Sequence, residues 1–246
     1  MRTGLWISLA LAPAAMWQTC VASELQIPAA RYPDLPETAS ELRDFVPVGW
    51  YFEAKAEGDL NRDRVNDVVF VLREDNPANI VANLDGLGSN SLDTNPRILA
   101  VAFGTEGRAN YRLALANHTL IPRHEDPVLD DPFASPGSLA VARGAFSVTL
   151  GFFASAGGWE MGQTKLTFRF QDDGFELIGL DRSRTHRGTG ETEEVSINLS
   201  TGRASTIIGN IAEDEAQEAK WQSLRGARRY TIDQITDALR FDPREP

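Results

Sequence analysis

The stretch Thr164-Lys165-Leu166-Thr167-Phe168-Arg169-Phe170-Gln171-Asp172-Asp173-Gly174-Phe175-Glu176-Leu177-Ile178-Gly179-Leu180-Asp181 decides the fold class. Leu166, Phe168 and Phe170 alternate with polar residues, which gives a pleated strand one apolar face. Asp172-Asp173-Gly174 then supplies residues that tolerate a positive φ, and Phe175, Leu177 and Leu180 follow. Residues 164–181 therefore predict an antiparallel hairpin.

The same signal extends outward on both sides. Tyr111, Leu113 and Leu115 alternate with polar or small residues, as do Phe146, Val148, Leu150 and Phe152, each set predicting one buried strand face. A second hairpin is expected at 194–208, turning at Ser200-Thr201-Gly202 between Val195–Leu199 and Ala204–Ile208. Val68–Leu72 and Ile98–Phe103 are uninterrupted apolar runs, the pattern of strands buried on both faces. Ten or so short strands predict a mainly β fold, an antiparallel sandwich or partly closed barrel, in a single domain over residues 37–246. Short helices are expected at its ends. One covers 37–45, with Leu42 and Phe45 on one side, and another covers the acidic segment 211–224. A third opens at Thr231, where Gln234 completes a capping box and Ile232, Ile235 and Leu239 share a face. No internal repeat is present.

The N-terminus carries Arg2, an apolar run from Leu5 to Trp17 and a small-residue end at Val21-Ala22, the pattern of a secretory signal peptide over 1–22. The run is shorter than the ~20 apolar residues of a spanning helix and is broken by Pro13, so no membrane span is expected. Residues 23–36, with Pro28, Pro33 and Pro36, read as an extended lead-in. Cys20 is the single cysteine and lies inside the leader, so the exported chain would have neither a disulfide nor a thiol nucleophile. Lipidation of Cys20 is the alternative, disfavoured by Trp17-Gln18-Thr19 before it. The expected location is periplasmic or secreted. Formal charge is −11, with 24 basic against 35 acidic residues, which argues against nucleic acid or an anionic membrane surface as partner.

Gly58-Asp59-Leu60-Asn61-Arg62-Asp63-Arg64-Val65-Asn66-Asp67 carries the most specific chemistry. Asp59, Asn61, Asp63 and Asp67 place side-chain oxygens at loop positions 1, 3, 5 and 9, and the Val65 carbonyl can supply position 7. Calcium takes six to eight oxygen ligands at about 2.3–2.6 Å, and a coiled loop brings alternate side chains to one centre. The loop is EF-hand-like with two departures: Phe70 stands where a bidentate glutamate is expected, and Arg64 stands where glycine takes the sharp turn. A solvated acidic turn is the plainer reading of the same residues.

Gly58-Asp59-Leu60-Asn61-Arg62-Asp63, with Asp67 and the strand Val68–Val71, resembles the calcium loop of FG-GAP and VCBS-type repeats in exported bacterial and integrin-like proteins. One copy stands here, so a propeller built from such repeats is not implied. Over most of its length the chain is similar to a group of uncharacterised exported bacterial proteins. The likeness rests on Phe45-Val46-Pro47-Val48-Gly49-Trp50, the aspartate loop, Asp131-Pro132-Phe133, Gly157-Gly158-Trp159, Gly188-Thr189-Gly190-Glu191-Thr192 and Asn198-Leu199-Ser200-Thr201-Gly202. It implies export, calcium and a coherent fold, and no reaction.

Other constellations are weaker. Glu125, Asp126, Asp130 and Asp131 form a second acidic cluster between Pro122 and Pro136, which reads first as a solvated loop. His118, His124 and His186 are too scattered for a zinc signature. No Gly-x-Ser-x-Gly elbow is present. Trp159 is expected in the core, with an exposed sugar-stacking platform as the alternative. Asn117-His118-Thr119 and Asn198-Leu199-Ser200 match the glycosylation sequon by chance in a bacterial-type chain. The expectation is thus a non-enzymatic binding or interaction module of the cell envelope, with calcium and an envelope protein or glycan as partners and no assignable catalytic residue. The alternative is a hydrolase of envelope polysaccharide or peptidoglycan, using residues 125–131 with the aspartate site as carboxylates about 5–10 Å apart in a cleft.

Overall fold

The computed structural model describes residues 25–106, 110–134, 136–213, 217–224, 226 and 228–245; the expected leader 1–22, with Cys20, lies outside them. In chain order the strands are β1 (Thr38–Ala39), β2 (Trp50–Gly58), β3 (Asp67–Glu74), β4 (Ile80–Ala82), β5 (Ser91–Asp93), β6 (Arg97–Gly104) and β7 (Tyr111–Asn117). They continue with β8 (Leu139–Ala142), β9 (Ala145–Phe153), β10 (Glu160–Gln171), β11 (Gly174–His186), β12 (Glu191–Asn198), β13 (Arg203–Asn210) and β14 (Lys220–Ser223). The β10–β11 hairpin forms where expected and runs longer, with Asp172 and Asp173 at φ 51° and 61°, the left-handed pair that a tight two-residue hairpin turn requires. The β12–β13 hairpin turns with Gly202 at φ 62°.

The result is an antiparallel sandwich. One sheet has the order β1-β7-β6-β3-β2 and the other β14-β13-β12-β11-β10-β9-β8, with β4-β5 as a separate ribbon. Neither sheet closes into a barrel among the described residues.

The two apolar runs form the centre of the five-stranded sheet and are buried on both faces, as their composition predicts. Val69, Val71, Leu99, Val101 and Phe103 face inward onto Phe146, Val148, Leu150, Leu166, Phe168 and Phe175 of the second sheet. Val68, Phe70, Leu72, Ile98, Ala100 and Ala102 face outward, where Tyr32, Leu35, Leu42, Phe45 and Val46 of the N-terminal segment cover them. The lead-in is therefore a packed cover over much of its length.

Bulges redirect side chains at three places. Ala114 is the extra residue between the Val101–Leu115 and Ala102–Leu113 pairs, so Tyr111 and Leu113 join the outer cluster while Leu115 joins the inner one. This corrects the single-face reading of that trio. Ile178 lets Leu177 and Leu180 share the inner face, and Glu53 interrupts the β2–β3 ladder between Phe52 and Ala54.

The expected terminal helices do not form. Residues 37–45 contain β1, paired with β7, and a single 3-10 turn at Leu42–Phe45 closed by a Glu41/Asp44 capping box. Of 211–224, residues 214–216 lie outside those described, and Lys220–Ser223 instead pairs with β13, whose edge would otherwise expose unpaired backbone groups. The Thr231/Gln234 capping box is present but encloses only the 3-10 turn Ile232–Gln234. Ile232, Ile235 and Ala238, three apart, all enter the core between the sheets, and that burial overrides helical propensity. The remaining C-terminal segment lines the inner face of β11–β13, with Phe241 against Leu180, Val195 and Ile197.

Phe168→Ala should destabilise the fold by about 3–5 kcal/mol in chemical unfolding, because Phe168 is fully buried between the sheets. Lys220→Ala on the exposed edge strand should stay within about 0.5 kcal/mol.

Candidate functional site

The aspartate loop connects β2 to β3 and is held at its base by two residues. Leu60 is buried in the inter-sheet core, and Asp67 is 0% exposed. Asp67 Oδ2 accepts the Leu60 N–H at 2.7 Å and the Asn61 N–H at 3.3 Å, and Oδ1 accepts the Gly104 N–H at 2.9 Å. Burial raises the Asp67 pKa above the ordinary carboxyl value, and these three amides oppose the rise. Gly104 is required there, since a Cβ would meet the Asn66 carbonyl oxygen at 2.4 Å.

The loop tip is a run of side-chain-to-backbone turns. Asp59 accepts from the N–H of Arg62 at 2.6 Å and of Arg64 at 3.1 Å, Asn61 Oδ1 from the Asp63 N–H at 3.0 Å, and Asp63 Oδ1 from the Val65 N–H at 2.7 Å. Arg62 and Arg64 sit at φ 68° and 71°, so Arg64 does occupy the position where glycine is favoured. The donor set is all oxygen, as a hard cation requires; the accepting oxygens of Asp59, Asn61 and Asp63 each keep a second lone pair, whereas Asp67 Oδ2 is filled by its two amides. Among the described residues, no three His, Cys, Asp or Glu side chains already converge on one point.

The second acidic cluster is dispersed by the fold. Glu125 pairs with Arg123 at 3.1 Å, and Asp126 accepts the Val128 N–H at 2.9 Å. Asp131 belongs to a buried cluster that the sequence reading missed. Arg73 and Arg97 are direct cross-strand partners on β3 and β6, an arrangement that repels unless carboxylates intervene. Glu53, turned inward at its bulge, accepts from Arg97 Nε at 2.6 Å and Nη2 at 2.8 Å, and from Arg73 Nη1 at 3.0 Å. Asp131 grips the other side of Arg97 at 2.9 and 2.7 Å, and Asp93 pairs with Arg73 at 3.0 Å. The Arg97 side chain is only 1% exposed and lies 5.6 Å from the Phe133 ring centre. Burial works against its charge, but the two carboxylates raise its pKa overall. For Asp131, burial works upward, and the hydrogen bonds and charge of Arg97 outweigh it, leaving the pKa lowered. The available signal was two arginines flanking apolar runs, since buried charges need partners.

The histidines are separate. His118 stacks on Tyr32 with ring centres 4.4 Å apart, and burial lowers its pKa. His124 Nε2 contacts the Leu129 carbonyl at 2.8 Å, and His186 Nδ1 accepts the Thr189 N–H at 3.1 Å. Trp159, expected in the core, is instead 65% exposed. Its loop is fixed by Arg187, which donates to the carbonyls of Ala154 and Gly158 at 2.5 and 2.6 Å.

The outer face of the seven-stranded sheet carries the cross-strand row Thr149, Lys165, Asp181, Ser196, Ser205 and Trp221. A groove of about 440 Å³ lies over it, walled on one side by Pro136–Ser138. No helix among the described residues is long and apolar enough to cross a membrane. Comparison with models of protein families, with curated proteins and with solved structures gives no match for this chain.

Arg97→Ala should cost about 3–5 kcal/mol by leaving Glu53 and Asp131 buried without their partner. The lowered Asp131 pKa means that its stabilising contribution is present above its unfolded pKa of about 3.9 and is lost as pH falls through the folded value. Asp131→Asn should therefore be less stable at neutral pH and lose less further stability below about pH 4, as read by urea midpoints across the acid range.

Proposed function

We propose that the protein is an exported, non-catalytic binding module of the cell envelope in which one calcium ion orders the Asp59–Asp67 loop. The observation that carries this reading is the loop itself. Oxygen side chains on alternate residues accept the loop's own amides in a turn whose two ends are clamped by Leu60 and Asp67, with Arg62 and Arg64 in left-handed backbone. Calcium would be held by Asp59, Asn61, Asp63 and the Val65 carbonyl, with Asp67 at the base. The ion would neutralise the three carboxylates that the loop carries, a structural role at the entrance to a central strand. The leader-like N-terminus supports export, and the acidic balance supports a cation as small ligand. In the hydrolase reading Asp131 is unsuited to be the proton donor, since Arg97 holds its pKa below the ordinary carboxyl value and a general acid needs a raised one.

With calcium at roughly 10 to 100 times Kd, binding should add about 1.4–2.7 kcal/mol, a rise of several degrees in melting temperature over the chelated protein. The double variant Asp59→Ala/Asp63→Ala should lose that response. Identical melting of the wild type in millimolar calcium and in chelator would refute the metal site.

A further inference from the structure

We propose that the groove on the outer face of the seven-stranded sheet binds a neutral oligosaccharide. This deepens the binding-module reading and rests on it for the absence of cleavage. Two of the four sheet faces pack on each other, and the N-terminal segment covers the outer face of the five-stranded sheet. The remaining face has no such cover among the described residues, and its strands present polar side chains where their inner faces present Val148, Leu166, Leu180 and Ile197.

The chemistry of the groove selects its ligand. Thr149, Gln163, Lys165, Ser183, Glu194 and Ser205 line it, and their side chains have no hydrogen-bond or ion-pair partner among the described residues. Hydroxyls, an amide, an ammonium and a carboxylate together offer donors and acceptors to one ligand, and a polyhydroxylated chain presents both in return. A polyanion is disfavoured, because Lys165 stands opposite Asp181, and Glu194 also lines the groove, in a chain of charge −11. A lipid or apolar peptide is disfavoured because Pro136 and Ile207 are the only hydrocarbon side chains left unburied in the lining, and its other accessible side chains are polar. A peptide in extended form would add to a sheet edge rather than lie across this face.

The geometry matches the chemistry. Neighbouring strands stand about 4.8 Å apart, so the row from Lys165 to Ser205 spans about 14 Å, enough for a short oligosaccharide. The volume of about 440 Å³ is in the range of small-ligand sites. At the β14 end, Trp221 is 63% exposed, and the Arg203 guanidinium lies 4.6 Å from its ring centre on one side. That contact steadies the indole and leaves its other surface for the apolar face of a sugar ring. All these residues sit on hydrogen-bonded strands, so the backbone of the array is pre-organised, and only its side chains are ordered on binding.

The test is titration calorimetry of the full chain with tetra-N-acetylchitotetraose, cellotetraose and maltotetraose, with an oligogalacturonate as the charged control. At least one neutral tetrasaccharide should bind and the oligogalacturonate should not. Gln163→Ala/Glu194→Ala should weaken binding about tenfold or more and Trp221→Ala several-fold, with melting temperatures unchanged. Absence of binding by all three neutral probes at millimolar concentration, or binding that ignores these substitutions, overturns the proposal. Asp59→Ala/Asp63→Ala should retain binding well below its melting temperature, so loss of the calcium response alone leaves the groove assignment standing. Shortening of a bound tetrasaccharide, seen by chromatography, would support the site and overturn the non-catalytic reading.

Discussion

Burial of β3 and β6 on both faces is the constraint from which the rest of the architecture follows. Val68–Leu72 and Ile98–Phe103 carry apolar side chains in both directions, so one sheet alone cannot satisfy them. The second sheet covers one side with its phenylalanine-rich face, and the N-terminal segment covers the other with Tyr32, Leu35 and Phe45. Each fully buried aliphatic or aromatic side chain stabilises by about 1.5–3 kcal/mol relative to exposure, which makes these two covers the main favourable contribution. The second sheet needs only one apolar face to do this, and its other face is left to solvent.

The polar exceptions inside this frame serve it. Arg73 and Arg97 lie opposite each other at one end of the central pair, and Glu53 reaches both because a bulge turns it inward. Asp131 completes the cluster and draws the 125–134 loop onto the sandwich, with Phe133 beneath Arg97. At the other end of β3, Asp67 collects amides from Leu60, Asn61 and Gly104, joining the aspartate loop to β6. The pair is thus bounded by an ion cluster at one end and a buried carboxylate at the other. The aspartate loop is thus attached at its base without any ion, so the proposed calcium would only tighten its tip, and the polar groove lies on the other sheet.

The fold was legible wherever hydrophobic period and turn chemistry agreed. Asp172-Asp173-Gly174 and Gly202 marked hairpins because few residues take left-handed backbone, and the continuous apolar runs marked strands with two covers. Helices were over-read at both ends. Ile232, Ile235 and Ala238 have a spacing that suits a helix, but insertion between the sheets uses the same spacing in a single 3-10 turn and the turns after it. Bulges were invisible, and one of them splits Leu113 from Leu115. For the site, the oxygen spacing of Asp59, Asn61 and Asp63 and the strained place of Arg64 could be read directly, whereas the Arg97 cluster joins residues from Glu53 to Asp131 and needed the register. The groove was hidden for the same reason. Lys165, Asp181, Ser196 and Ser205 look like ordinary solvent-facing positions until pairing aligns them in one row.

Site-resolved native-state hydrogen exchange tests the central constraint most directly. The amides of Val69–Leu72 and Leu99–Ala102 should exchange only through global unfolding and be the slowest in the molecule, with those of β12 and β13 opening earlier. Exchange from β3 and β6 through local openings, at rates equal to or faster than those of β12 and β13, would contradict the account.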